Sequence, residues 1–222
     1  MSDFIYVVCE GQSEMTFVKQ ILSPYIQERS NYQCFLNPFV VITSFDRRKG
    51  RVFRGGLTDY QKPKNDILRC LKSGRPVTTM FDYFGLPTDF PNYEDMNALH
   101  DDYEKVRFLE KQMQDDIGND LFFPYISLHE FEALFYCDLD TLKLLYTGYE
   151  NEIEKLKSEI EGRPPESIND GENTSPSKRL LNHLKYEKGS EIMIPLNHIG
   201  IDKMREKCPH FSEWVSRIEA VV

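Results

Sequence analysis

Long hydrophobic runs are missing from this sequence of 222 residues. The first apolar stretch, Phe4 to Cys9, covers only six residues and follows no basic flank. Such a stretch is too short for a signal peptide or a transmembrane helix. We therefore expect a soluble, cytoplasmic protein that is not inserted in a membrane.

Metal-binding motifs built on cysteine and histidine are also missing. The five cysteines form no CxxC pair and no cluster with zinc-ligand spacing, and their number is odd. Reduced thiols in a cytosol are the simplest interpretation. The segment 129–133, His-Glu-Phe-Glu-Ala, differs from HExxH, which excludes the usual motif of a zinc protease.

Signatures of nucleotide binding and an excess of positive charge are absent too. Neither GxGxxG nor the P-loop motif, GxxxxGK followed by Ser or Thr, occurs in the chain. The sequence has 27 Lys and Arg against 36 Asp and Glu, a net charge of −9. Because this charge repels polyanions, any nucleic-acid site must be local or metal-assisted.

The composition is that of a folded domain. Apolar residues make up 40% and charged residues 28% of the chain, close to the averages for folded proteins. These fractions exclude disordered, collagen-like and coiled-coil chains. The length fits one enlarged domain, or one domain with an appendage. The many aromatic residues, 13% of the total, are assigned mainly to core packing.

Strand and helix patterns alternate along the first part of the chain. Apolar and β-branched stretches predict strands over 4–9, 35–45, 76–81 and 121–128. Apolar residues at helical spacing predict helices from Ser13 to near Pro24, over 59–71 and over 94–117. Parallel strands need such crossover helices, so the pattern predicts an α/β fold with a mainly parallel sheet flanked by helices.

The last part of the chain is predicted to be helical. Helical patterns cover 129–135, 140–146, 151–160, 178–184, 202–207 and 211–220, and a loop rich in Gly and Pro covers 162–176. We therefore expect an α/β core over residues 1–138 and a helical C-terminal extension over residues 139–222 that packs on this core.

Carboxylates follow three of the predicted strands. Glu10 and Glu14 follow the first, Asp82 ends a later one, and Glu130 and Glu132 follow the last. Ligands of α/β proteins collect at the carboxyl ends of the strands, so these groups could converge on one site. Oxygen ligands without imidazole or thiolate suit Mg²⁺ or Mn²⁺. A pair of such ions can activate water and stabilise both oxygens of a phosphodiester displacement.

Two of these residues have an alternative structural interpretation. Ser13 can simply cap a helix, and Glu14 can favour the positive end of the helix dipole. His129 could be a proton shuttle or a ligand, because it lies one turn from Glu132 on the predicted helix. It could equally be a hydrogen-bonded residue that caps this helix.

Positive charge is concentrated in one glycine-bearing segment. The basic residues are Arg47, Arg48, Lys49, Arg51 and Arg54, and Phe53 lies among them. This segment is predicted to be a loop that contacts phosphates, with Phe53 stacking on an unpaired base. A solvated loop is the alternative. Lys178 and Arg179 form a smaller second candidate, which also fits an ordinary exposed helix face.

Five motifs in order resemble the TOPRIM-like bacterial family known as domain of unknown function 4276. They are EGQSE at 10–14, FDYFGLP at 81–87, LHEFEAL at 128–134, SPSKRL at 175–180 and CPHFSEW at 208–214. The resemblance covers essentially the full chain. It implies a TOPRIM-like fold, as in topoisomerases, primases and OLD-type nucleases. There, a glutamate after the first strand acts in acid/base chemistry and an Asp-x-Asp motif holds Mg²⁺.

Carried over to this chain, the resemblance assigns acid/base chemistry or metal binding to Glu10 and Mg²⁺ binding to Asp82. Phe84 stands where the second aspartate of Asp-x-Asp would be. Glu14, Asp89, Glu130 or Glu132 would then have to supply the missing oxygen ligand. The candidate catalytic residues are therefore Glu10, Glu14 and His129. The candidate ligands of Mg²⁺ or Mn²⁺ are Glu10, Asp82, Asp89, Glu130 and Glu132.

The leading hypothesis from the sequence is a Mg²⁺-dependent nuclease that cuts DNA or RNA, including tRNA. The resemblance further implies an effector of a bacterial anti-phage system that works with an ABC-type ATPase. The rival is a non-catalytic binding or regulatory subunit of that ATPase, favoured by Phe84. Nucleotidyl transfer would need a nucleotide site that the sequence does not reveal. The oligomeric state stays open, with a homodimer among the options.

Overall fold

A computed structural model describes residues 3–46, 51–54, 56–160, 162–169, 174–184 and 193–222. For residues 42–46 and 51–54 it describes the backbone alone. The sheet and the helices on both of its faces lie within these ranges, and so do all the candidate carboxylates.

A parallel sheet of five strands forms the centre of the fold. Its strands are β1 (Asp3–Cys9), β2 (Cys34–Val40), β5 (Val77–Asp82), β6 (Phe122–Phe123) and β7 (Ile126–Ser127). β1 lies between β2 and β5, while β6 and β7 both pair with β5, and every pair is parallel. The predicted α/β class with a mainly parallel sheet flanked by helices is confirmed. The carboxyl ends of β1, β5 and β7 therefore lie at one edge of the sheet.

A separate two-stranded hairpin contains part of the basic segment. β3 (Ile42–Asp46) pairs antiparallel with β4 (Arg51–Arg54). The prediction of a loop for this whole segment is therefore wrong over β4. The prediction gave weight to the arginines and glycines, but Val52 and Phe53 are strong strand formers and suit a paired strand.

The helix after β1 is longer than predicted. α1 (Gln12–Phe17), a π-helical turn (Val18–Leu22) and α2 (Ser23–Arg29) follow one another without a break. Pro24 was expected to kink or end the helix, yet it lies at the start of α2, directly after the π-helical turn. Proline lacks the N–H that a regular helix would use, and the wider turn before it takes up this interruption.

The connection between β5 and β6 contains two helices after a short turn. The helix predicted over 94–117 divides into these two, a 3₁₀ helix (Tyr93–Ala98) and α4 (Asp102–Ile117), while α3 (Gln61–Leu71) lies before β5. Asp101 explains this division, because its side chain accepts a hydrogen bond from the Glu104 amide and so caps α4.

The strand predicted over 121–128 is interrupted at Pro124, which separates β6 from β7. Proline has no N–H to donate to a neighbouring strand. Side chains of β5 bridge the gap instead: the Thr78 hydroxyl donates to the Phe123 carbonyl at 2.6 Å. The Thr79 hydroxyl donates to the Tyr125 carbonyl and accepts from the Tyr125 amide, both at 2.9 Å. Pairing with β5 thus continues past the proline.

The regular elements in the described residues after β7 are all helical. A 3₁₀ helix (Phe131–Cys137) is followed by α5 (Leu139–Leu145), α6 (Glu150–Glu159), a 3₁₀ turn (Pro165–Ser167), α7 (Pro176–His183), α8 (Met193–Ile199), α9 (Ile201–Lys207) and α10 (Pro209–Ala220). The sequence analysis did not predict α8. None of the described helices is both long and apolar enough to span a bilayer.

The C-terminal helices pack directly on the sheet. Ile5, Val7 and Cys9 of β1 share one hydrophobic cluster with Phe211 and Trp214 of α10. The Trp214 indole N–H also donates to the Thr78 hydroxyl of β5 at 2.8 Å. A second cluster covers the other face of the sheet and includes Val8, Phe81 and apolar residues of α3 and α4. The helices thus bury both faces, as expected for a parallel sheet.

Candidate functional site

Five carboxylates converge at the carboxyl edge of the sheet. Asp82 is the last residue of β5, and its pKa lies well above the ordinary value. Burial is the main cause, and the negative charges of Glu14, Glu10, Glu132 and Glu130 add to it in that order. The structure therefore brings together the acids that follow three separate strands. We call these five residues the carboxylate cluster.

Four hydrogen bonds to backbone groups hold Glu10 in place. Its amide donates to the Met80 carbonyl and its carbonyl accepts from the Gly56 amide, both at 3.1 Å. Its carboxylate accepts from the Asp82 amide at 3.1 Å and from the Leu57 amide. Burial raises the pKa of Glu10, while these two amide bonds favour its charged form. The side chain therefore has a fixed position directly beside Asp82.

Two glycines leave room for the acids of the cluster. A Cβ at Gly85 would lie 2.5 Å from Oε1 of Glu10, and a Cβ at Gly11 would lie 2.8 Å from Oε2 of Glu14. A side chain at either position would force the carboxylate opposite it to move. The glycines of the motifs EGQSE and FDYFGLP thus let the backbone approach a carboxylate closely.

Glu14 lies in the first turn of α1 and is buried. The pKa of Glu14 is raised to about 7, mainly by burial and also by the charges of Glu10 and Glu132, while backbone hydrogen bonds at Glu14 and Gly11 oppose the shift. Near neutral pH this carboxyl therefore exchanges its proton readily. Glu14 does favour the helix start, as the structural interpretation expected, but its pKa also suits acid/base chemistry.

Two further members of the cluster connect the sheet edge to other elements. The Asp82 carboxylate accepts from the Phe131 amide at 3.1 Å, at the start of the 3₁₀ helix. The Glu130 carboxylate accepts from the Ser177 amide at 2.8 Å and from the Ser177 hydroxyl at 3.1 Å. Ser177 belongs to the motif SPSKRL but was not predicted as a site residue. A serine beside a helix start was its only signal in the sequence.

The chemistry of the donor set fits a hard divalent cation. All five members supply carboxylate oxygens, which Mg²⁺ and Mn²⁺ prefer. In the described part of the chain, however, no three His, Cys, Asp or Glu side chains already surround one point as a ligand set. Several cluster oxygens instead accept backbone N–H bonds. Cation binding would therefore require rotation of side chains within the cluster.

His129 is buried beside the cluster rather than on a helix. It precedes the 3₁₀ helix that begins at Phe131, so the expectation that it lies one helical turn from Glu132 is wrong. Its ring stacks on Phe84 at 5.1 Å between centroids, and Nε2 lies 3.7 Å from the Asp102 carboxylate. Burial lowers the pKa of His129, and the Asp102 charge opposes this shift.

Asp89 has a structural role at a helix start. Both of its carboxylate oxygens accept from the Tyr60 amide, at 3.0 and 3.1 Å, directly before α3. Its carboxylate is thus committed to the start of α3, whereas the sequence analysis proposed it as a metal ligand. Glu14, Glu130 and Glu132, the other acids considered for the place of the second aspartate of Asp-x-Asp, all lie in the carboxylate cluster.

The basic candidates fall into three groups. Arg47, Arg48 and Lys49 lie outside the described residues. Arg51 and Arg54 are the two end residues of β4, of which the backbone is described. Lys178 is exposed on α7 next to Ser177. Phosphate contact by any of them remains a prediction.

Arg179 is oriented into the protein. It is buried, and its guanidinium binds Glu159 of α6 at 2.8 Å and the Thr174 carbonyl at 2.8 Å. Its side chain therefore joins α6 to α7, which differs from the exposed phosphate contact that the sequence analysis considered.

Comparison with known proteins identifies a family without assigning an activity. A family model described as domain of unknown function (DUF4276) matches residues 9–219, almost the whole chain. No curated protein and no solved structure matches this sequence.

Proposed function

The chain belongs to the DUF4276 family, and we propose that it is a divalent-cation-dependent phosphodiesterase that cuts nucleic acid at the carboxylate cluster. The observation that supports this proposal is the placement of Glu10, Asp82 and Glu130 after three parallel strands, with Glu14 and Glu132 beside them. The motifs that resemble the DUF4276 family contain all of these acids.

A purely structural role explains this arrangement poorly. Burying a carboxylate disfavours its charged form, and each additional negative charge nearby increases the penalty. The raised pKa values of Glu10, Glu14 and Asp82 show this strain directly. The uptake of protons or the binding of a cation would reduce this penalty. Clusters of perturbed carboxylates of this kind are typical of functional sites.

Each member of the cluster then has a role. Asp82, Glu10 and Glu132 would hold Mg²⁺ or Mn²⁺, with Glu130 fixed by Ser177 at its side. The ion supplies charge stabilisation for the phosphodiester oxygens and a more acidic bound water. Glu14 is buried beside Glu10 and Glu132 and would be the group that accepts or returns a proton.

Cleavage assays test this proposal directly. The purified protein is incubated with Mg²⁺ or Mn²⁺ and labelled duplex DNA, single-stranded DNA and tRNA, with and without a co-expressed ABC-type ATPase. We expect cleavage that stops in EDTA and falls by about 100-fold or more in Glu10→Gln and Asp82→Asn, as when charge stabilisation at a reacting centre is lost. The exposed Glu28→Gln serves as the control that keeps activity. Full activity in Glu10→Gln, or cleavage in EDTA, would reject the proposal.

Phe84 favours a second candidate function. It stands in place of the second acid of Asp-x-Asp, and its side chain is 51% exposed. A subunit without catalytic activity that docks on an ABC-type ATPase of an anti-phage system would keep such an aromatic surface. For this candidate we expect stable co-purification with the ATPase, dependence of this complex on Phe84, and no cleavage of any substrate under any metal condition.

A further inference from the structure

The Phe84 side chain is unusual because it is both exposed and ordered by stacking. It is an apolar aromatic residue with 51% of its surface open to solvent. The His129 ring stacks against it at 5.1 Å with 21° between the planes. The Tyr83 ring lies at 6.0 Å and 24°, a strongly offset arrangement that covers little of the Phe84 ring. The buried His129 thus supports a partly open aromatic surface.

This aromatic surface lies at the rim of the carboxylate cluster. Phe84 comes two residues after Asp82 and directly before Gly85, whose Cα packs on the Glu10 carboxylate. His129, on which Phe84 stacks, directly precedes Glu130. The stacked pair therefore joins the two chain segments that carry Asp82 and Glu130. A molecule that rests on Phe84 would therefore lie next to the chain segments that carry the cluster.

We infer that Phe84 is a stacking platform for an unpaired nucleobase of the substrate, which makes this a site for single-stranded nucleic acid. The inference rests on the proposed function and specifies its substrate. A base stacked on Phe84 would leave its sugar and phosphate beside Glu10 and Asp82. A base inside a duplex is already stacked on both faces, so it cannot use this surface without leaving the helix.

The charge of the protein makes such a platform useful. The chain has a net charge of −9, and the site itself is a cluster of acids, so the phosphate backbone alone gains little attraction here. Stacking on an aromatic ring is independent of charge and tolerates any base, because every base has a π face. Phe84 can therefore supply affinity that basic residues supply in other nucleic-acid sites.

Fluorescence tests the stacking without relying on catalysis. The chain has one tryptophan, Trp214, which is buried, so Phe84→Trp adds a separate exposed fluorophore. In a Glu10→Gln background with Mg²⁺, this variant is titrated with a 12-nucleotide single-stranded DNA, its blunt duplex and a free mononucleotide. We expect quenching by the single strand at concentrations at least tenfold lower than by the duplex or the mononucleotide.

A matched variant controls for unspecific quenching. Leu144 on α5 is 82% exposed and lies outside the five motifs, so Leu144→Trp places a fluorophore on another part of the surface. We expect no quenching of this variant. Equal quenching at both positions, no quenching at position 84, or equally tight binding of the mononucleotide would overturn the inference.

Cleavage kinetics provide the second test. With a single-stranded substrate we expect Phe84→Leu to raise KM by about tenfold to a hundredfold with little change in kcat, whereas Phe84→Tyr keeps the KM of the wild type. An unchanged KM in a folded Phe84→Leu would overturn the inference while the phosphodiesterase proposal stands. Quenching of Phe84→Trp by the single strand, together with no cleavage by the wild-type protein, would support the platform and reject the proposed activity.

Discussion

Gly85 approaches the Glu10 carboxylate so closely that a methyl group on its Cα would lie 2.5 Å from Oε1. The two residues are 75 positions apart, and each belongs to a motif that follows a different strand. The contact fixes the segment after β5 against the acid that follows β1. The glycine of FDYFGLP is therefore explained by the carboxylate opposite it rather than by a left-handed backbone conformation.

The first prediction concerns this contact. Gly85→Ala should displace the Glu10 carboxylate or the segment 83–86, because the new methyl group and Oε1 cannot occupy their present positions. We expect cleavage to fall by at least about tenfold, since small displacements of reacting groups have effects of this size. Activity is measured with the single-stranded substrate, and folding is checked by circular dichroism.

A double-mutant cycle separates this effect from general damage. Thermal stability is measured for Gly85→Ala in the wild type and in Glu10→Ala. The truncated side chain removes the clash, so we expect the destabilisation by Gly85→Ala to be much smaller in the Glu10→Ala background. Equal destabilisation in both backgrounds would show that the methyl group interferes with another part of the fold.

The second prediction concerns pH and the stability of the metal-free protein. The pKa of Glu14 is raised from its ordinary value of 4.5 to about 7 in the folded state. The folded protein thus holds this proton more tightly than the unfolded chain. Stability from this group is fully present below pH 4.5 and is lost as the pH rises towards 7.

Glu14→Gln should remove this loss. At pH 8 we expect a free energy of unfolding about 1–3 kcal/mol higher than that of the wild type, and little difference at pH 4.5. The free energies of unfolding are measured by urea denaturation at both pH values in the presence of EDTA. Glu28→Gln is an exposed change on α2. It should leave the difference in the free energy of unfolding between pH 4.5 and pH 8 the same as in the wild type. A Glu14→Gln protein that is less stable than the wild type at pH 8 would contradict the assignment.

The sequence predicted the sheet edge because the relevant signals are local. Each strand is a short apolar run, and Glu10, Asp82 and Glu130 follow these runs directly in the chain. Parallel pairing then places all three at one edge without any knowledge of side-chain packing. The same reasoning could not assign Asp89, because its bond to the Tyr60 amide crosses 29 positions.

The parts that were missed depend on contacts distant in sequence. The Ser177 bonds to Glu130 cross 47 positions, and the stack of Phe84 on His129 crosses 45. The spacing of hydrophobic residues along the sequence gives no information about such pairs. Arg179 was assigned wrongly for the same reason. Its charge suggested an exposed helix face, whereas its side chain is buried and binds Glu159 and the Thr174 carbonyl.

The third prediction concerns a buried acid with a structural role. Glu166 lies in the 3₁₀ turn before α7, and its carboxylate accepts from the amides of His210 and Phe211 at 2.7 and 3.2 Å. These amides are at the start of α10, and the Tyr103 hydroxyl of α4 donates to the same carboxylate at 3.1 Å. Glu166→Ala leaves two buried amides and the half-buried Tyr103 hydroxyl without this partner.

We expect Glu166→Ala to lower the free energy of unfolding by about 2–4 kcal/mol, because each unsatisfied donor and the lost cap destabilise the fold. Chemical denaturation measures the change. The exposed Glu213→Ala on α10, which removes only a surface ion pair with Arg107, should lower it by less than about 1 kcal/mol. The kcat of the folded Glu166→Ala protein should equal that of the wild type, and a large loss of kcat would place Glu166 in the site.

The last prediction concerns cation binding by the cluster. Mg²⁺ or Mn²⁺ should raise the melting temperature of the wild type, because an ion that binds only the folded state stabilises it by mass action. The rise should be larger at pH 8 than at pH 5.5, since protons and the cation compete for the carboxylates whose pKa values are raised. Asp82→Asn removes the half-buried acid that ends β5 in the cluster and should abolish most of the rise.

Two controls decide whether the effect belongs to the cluster. Glu28→Gln, which changes the net charge by the same amount on an exposed helix face, should keep the full rise. KCl at matched ionic strength should give none, because screening acts on surface charges and does not bind one site. If Asp82→Asn responded to Mg²⁺ as the wild type does at both pH values, the cation would bind elsewhere, and the proposed phosphodiesterase site would lose its main support.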